Sequence, residues 1–130
     1  MKKFFIMMIF LLPMLGLHAC DFCGFLDGDQ QAIYSVQGRD AGSIVEYTGT
    51  AVITRVGNVF SVQWVFDDGR QLIGTGLKTG DILSVAYADN NGLTNPGVIA
   101  YSIFCENRLR GRYVNIGQSD IGEQTLKRIH

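Results

Sequence analysis

A chain of 130 residues with 11 basic and 12 acidic side chains carries a formal net charge of −1, so it lacks the cationic surplus with which a protein neutralises a phosphate backbone, and a nucleic-acid partner is excluded. Its length suits one domain with one hydrophobic core.

Residues 1–19 have the layout of a secretory signal peptide. Lys2 and Lys3 form a basic start, Phe4 to Leu12 carries no charge, and Pro13 and Gly16 precede Ala19. The apolar run is shorter than the roughly 20 residues that span a bilayer, so the chain is expected to be exported with its leader removed. Taking Lys2 and Lys3 from the 11 basic side chains leaves nine against 12 acidic ones, a net charge of −3.

Cleavage next to Cys20 has two readings. Leu17-His18-Ala19-Cys20 resembles the bacterial lipobox, in which a large apolar residue stands three before the cysteine that becomes the lipidated first residue; ordinary signal peptidase prefers a small residue where Leu17 stands. Lipid attachment at Cys20 would leave Cys23 and Cys105 as one disulfide, closing a long loop and stabilising by about 3 to 5 kcal/mol. The alternatives are plain export with a structural disulfide, or a C-x-x-C formed by Cys20 and Cys23. The second lacks the βαβ context of a thioredoxin-like centre, and Gly24 stands where haem attachment needs histidine. A zinc site needs about four ligands, and beyond the leader there are three cysteines and His130, so no metal or other cofactor is expected.

Residues 20–31 read as a short flexible leash holding the domain close to a membrane, and residues 32–130 as the domain itself. Short apolar or alternating runs recur there, separated by glycine-bearing turns, the grammar of an all-β barrel or sandwich. Strands are predicted near Ala32–Gln37, Val45–Arg55, Val59–Phe66, Gln71–Leu77, Asp81–Ala88, Val98–Phe104, Arg108–Val114 and Glu123–Arg128. Gly57-Asn58, Asp68-Gly69 and Thr79-Gly80-Asp81 supply tight turns, and such short links join antiparallel neighbours. An up-and-down meander closing into a barrel of about eight strands is expected, with a β-sandwich as the alternative. Period two puts Val45, Tyr47, Gly49, Ala51 and Ile53 on one face and Phe60, Val62, Trp64 and Phe66 on another, both predicted to face inward. The stretches "ILSVAYA" and "VIAYSIF" are apolar on both faces, which predicts that something covers them.

The segment 33–129 resembles a family of short exported bacterial β-domains that go by the name fibronectin-binding proteins. The likeness lies in "YSVQGRDAGSIVEYTGTAVIT", continues in "FSVQWVFDDGRQLIGTGLKTGDILSVAY", and ends in "GVIAYSI", "NRLRGRY" and "GEQTL", the last standing for a usual G-T-E-T-L close. The resemblance implies an exported β-barrel-like domain without known catalysis. The departures are Cys105 before the seventh strand, the long loop from Asp89 to Pro96, and Gln124 in the closing motif.

Catalysis lacks parts. Beyond the leader there is one histidine, His130, at the last position, so no ordered nucleophile–histidine arrangement is expected. Asp67 and Asp68 fall in a hairpin turn, where they are solvated. Gly74-x-Gly76 lies in a strand, not in a phosphate loop opening a helix. The more informative features are two. Arg108, Arg110 and Arg112 share one side of a strand, with Lys127 near them on the next, a row suited to carboxylates, sulfates or phosphates unless it is only a solvated exterior. Tyr47, Phe60, Trp64, Phe66, Tyr87 and Tyr101 line a small pocket or fill a solid core.

These readings converge on an exported, lipid-anchored, non-enzymatic barrel in the periplasm or cell envelope that binds an envelope or extracellular macromolecule. A carrier or sensor of a small apolar ligand inside the barrel, and a structural envelope accessory without a ligand, are the alternatives.

Overall fold

The computed structural model describes Leu26, residues 30–104 and residues 107–130. Its eight strands are β1 (Gln31–Arg39), β2 (Glu46–Val56), β3 (Val59–Phe66), β4 (Gln71–Thr79), β5 (Ile82–Asp89), β6 (Gly97–Phe104), β7 (Arg108–Asn115) and β8 (Gly122–Arg128). Each pairs antiparallel with the next and β8 returns to β1, so the sheet is a closed barrel rather than a sandwich. No helix interrupts it among the described residues. Cys20, Cys23 and Cys105, with the leader, the lipid attachment and the disulfide, lie outside the described residues, as does most of the leash.

Closure follows from local rules. The two tightest links place Gly57 and Gly80 at positive φ (62° and 58°) as the first central residue of a two-residue hairpin, a position that L side chains avoid and that matches the strand twist. Antiparallel neighbours then accumulate in order until first and last meet, satisfying both edges. The alternation of β3, with Phe60, Val62, Trp64 and Phe66 buried and the residues between them exposed, is the period-two pattern of a sheet with one wet face. In β2, Ala51 and Ile53 are fully buried. Val45, expected on the same face, is 72% exposed because it precedes the first paired residue, Glu46.

Interior side chains form one cluster in which Tyr34, Trp64, Leu83, Tyr101, Leu109 and Leu126 are among the most deeply buried. Leu26, ahead of β1, belongs to it and is 2% exposed. The outer faces of β5 and β6 show Ile82, Val98 and Phe104 to solvent in part.

Candidate functional site

The barrel has two unlike ends. Residues 57–58 and 80–81 make short links at one end, where β1 also begins and β6 ends; residues 40–45, 67–70, 90–96 and 116–121 make longer ones around the other. The longer links surround a mouth that opens into a cavity of about 170 Å³, lined by Asp40, Tyr47, Trp64, Phe66, Arg70, Leu72, Tyr87, Asp89, Asn95, Ile99, Tyr113, Asn115 and Gln124.

The rings that line this cavity are seated on glycines of neighbouring strands. Gly38 pairs with Tyr47, Gly97 with Tyr87 and Gly122 with Tyr113. A Cβ on Gly122 would stand 2.3 Å from Cζ of Tyr113, and one on Gly97 2.4 Å from the hydroxyl of Tyr87. The missing side chain is the space in which the phenol lies flat, a device that keeps large rings inside a narrow barrel.

Below the mouth runs a connected polar network. Among the described residues Gln124 is the buried polar side chain of the core, 5% exposed. Its Oε1 accepts from Trp64 Nε1–H at 3.1 Å and from the Tyr101 hydroxyl, and its Nε2 donates to the Tyr47 hydroxyl at 3.1 Å. Tyr47 in turn donates to Tyr113 at 3.1 Å, and Tyr113 to Asp40 Oδ1 at 2.6 Å. The donors therefore point in sequence from the core toward a carboxylate at the rim. Tyr87 donates to Asn115 Oδ1 at 2.5 Å, and Asn95 Nδ2 donates to Asp89 at 2.7 Å. Among the described residues no buried side-chain nitrogen or oxygen lacks a partner, which is the condition under which a polar network fixes one arrangement rather than weakening the core.

Arg70 covers one side of the mouth. Its guanidinium lies 5.1 Å from the Phe66 ring centroid and 5.5 Å from that of Tyr47, while Nε is 2.8 Å from Asp68 Oδ2. Burial disfavours its charge, but Asp68 outweighs that and raises its pKa. Asp68 is held below the usual carboxylate range, first by the Arg70 backbone N–H and then by the guanidinium. Burial pushes Tyr87 up to about 12, with the charges of Tyr47, Asp40 and Asp89 adding to it. Burial raises Tyr47 too, offset in part by its bonds to Tyr113 and Gln124. Burial, then the hydrogen bonds to Asp40 and Tyr47, also raise Tyr113. The phenols are thus fixed in their neutral form, as hydrogen-bonding groups.

Charge is divided between the ends. Asp40, Glu46, Asp67, Asp68, Asp89, Asp120 and Glu123 stand at the mouth with Arg39, Arg70 and Arg112; Arg55, Lys78, Arg108, Lys127 and Arg128 stand toward the other end with Asp81.

Of the aromatic residues singled out from the sequence, Tyr47, Trp64, Phe66 and Tyr87 line the cavity, and Tyr101 touches it through Gln124. Phe60 lies at the start of β3, toward the other end, buried opposite Gly76. Arg108, Arg110 and Arg112 are exposed on the outside of β7, Arg108 opposite Lys127 and Arg112 opposite Glu123. Asp67 accepts a hydrogen bond from Thr48 in the expected turn. Tyr113 and Asn115 were not singled out from the sequence, and Gln124 stood out there only as a departure in the closing motif. Period two from Leu126 and from Leu109 places all three inward, and a glutamine on a leucine face is the signal that a polar interior leaves. Asp40 and Arg70 stand in links and carry no such signal. No protein-family model matches the chain, and a search of the curated proteins returned no match.

Proposed function

We propose that this is an exported, lipid-anchored, non-enzymatic binding module whose mouth receives a side-chain-sized, positively charged group of an envelope or extracellular macromolecule. The observation that carries this is the cavity itself: about 170 Å³, confined to the end with the longer links and lined by the carboxylates of Asp40 and Asp89 beside Tyr47, Trp64 and Phe66. Sites for whole small molecules enclose about 300 to 1,000 Å³, so this volume suits one protruding group of something larger. Asp40 and Asp89 offer two carboxylates, and the faces of Tyr47 and Phe66 already hold the Arg70 guanidinium, so the same rings suit an incoming cation. The apolar-ligand carrier is disfavoured because the interior beneath the mouth is occupied by Trp64, Tyr101 and Leu126, each at most 1% exposed. Burial raises the pKa of Tyr47 and Tyr113, which keeps both phenols as neutral hydrogen-bonding groups at the mouth.

Trp64, the single tryptophan of the chain, reports on occupancy. Titration with peptides bearing lysine or arginine should change its emission saturably, and Asp40→Asn with Asp89→Asn should abolish the change. An emission spectrum indifferent to every cationic peptide would overturn the reading. The anchor has its own test, because the mature protein from membranes should carry an acylated Cys20, and an unmodified first residue would remove it.

A further inference from the structure

The end opposite the mouth has chemistry that the binding reading does not use. On its outer surface Arg108 faces Lys127 across β7 and β8, Arg110 follows two residues on, and Phe104 faces Arg108 from β6. The Arg110 guanidinium lies 5.8 Å from the Phe104 centroid, and Phe104 is 48% exposed. None of Arg108, Arg110 and Lys127 is ion-paired to a described carboxylate. Exposed Ile82 and Leu77 continue the surface across β5 and β4. Cations on long stems interleaved with an aromatic ring and aliphatic side chains match the boundary of an anionic bilayer, where phosphates meet acyl chains.

Position strengthens the match. β1 begins at this end, so the chain that precedes Gln30 joins the barrel here. Cys20 stands ten residues before Gln30, within at most about 35 Å of extended chain. The acidic mouth is at the far side, where an anionic surface would repel it.

We infer that Arg108, Arg110 and Lys127, with Phe104, dock this end of the barrel on anionic lipid headgroups and hold the mouth facing away from the membrane. The inference deepens the anchored reading by giving the domain an orientation, but the docking needs no acyl chain. Each cation at an anionic surface favours the docked state about fivefold, so two contribute about twenty-five-fold and salt weakens both.

The protein as cells make it, mixed with vesicles, gives the test. Lys127 is acetylated with a membrane-impermeant reagent and followed by mass spectrometry in phosphatidylcholine vesicles with or without phosphatidylglycerol. Slower acetylation of Lys127 with phosphatidylglycerol, reversed by salt and about twenty-five-fold weaker docking in Arg108→Gln/Arg110→Gln, is expected, with carboxylate labelling of Asp120 and Glu123 unchanged. Equal acetylation in both vesicles overturns the inference, as does protection by a sulfated polysaccharide but not by vesicles. Intact mass of the same sample reads acylation of Cys20 separately, so failure of the anchor and failure of docking are told apart.

Discussion

Alkali should destabilise this barrel through its tyrosines. The chain has five, and burial raises the pKa of each above the ordinary 10.0, Tyr34 and Tyr87 to about 12. In the unfolded chain each phenol ionises near 10, so above that pH the unfolded state binds fewer protons than the folded one and stability falls as pH rises. The contribution is fully present below about pH 10 and is lost on the way to the folded values. Counting only Tyr34, Tyr87 and Tyr101, which are 2%, 8% and 0% exposed, each costs about 1.4 kcal/mol by about pH 11, together about 4 kcal/mol. Against the 5 to 15 kcal/mol typical of a domain, that is a large fraction. Urea unfolding followed by circular dichroism at about pH 8 and about pH 11 measures it, and Tyr34→Phe should remove about 1.4 kcal/mol of the difference. Phenolate absorbance that rises with a midpoint near the ordinary value while the dichroism stays native would refute the reasoning.

Three further outcomes follow from packing. Gln124→Leu leaves the buried Tyr101 hydroxyl without its acceptor while Trp64 Nε1 keeps Tyr101 at 3.1 Å, so chemical denaturation should show a loss of about 1 to 3 kcal/mol. Gly49→Ala sets a Cβ 2.5 Å from the Val65 carbonyl oxygen and 2.8 Å from Phe66 Cα, backbone that cannot step aside, and should cost about 3 kcal/mol or more by the same assay. Gly38→Ala meets instead the Tyr47 ring, Cζ at 2.3 Å and the hydroxyl at 2.4 Å, a side chain that can swing aside, so about 1 to 3 kcal/mol of stability should be lost, with a change in Trp64 emission as the mouth network shifts.

The strands were legible because most of them have one dry side. Phe60, Val62, Trp64 and Phe66 announce β3 by period alone, and Gly57 and Gly80 mark where the chain reverses. Each strand was placed within about two residues of its observed limits. The mouth was legible only in its aromatic half. Tyr47, Trp64 and Phe66 belong to neighbouring strands, whereas Gln124 meets Trp64 across 60 residues of sequence, a proximity that appears only once the sheet has closed. Asp40 and Arg70 stand in links whose positions follow from tertiary geometry rather than from any repeat. Arg108, Arg110 and Arg112 share a face as their spacing requires, but Glu123 opposite Arg112 divides the row into two chemical environments.

The seam between β1 and β8 has a consequence for biogenesis. Ser35 bonds to the carbonyl of Lys127, 92 residues later, and the main chain of Ile33 bonds to that of His130. Every other ladder can form as soon as its hairpin exists, but this one waits for the final residues. A nascent or truncated chain lacking β8 presents two unsatisfied rims to its neighbours, so the sheet can be zipped shut only after the last strand has been made.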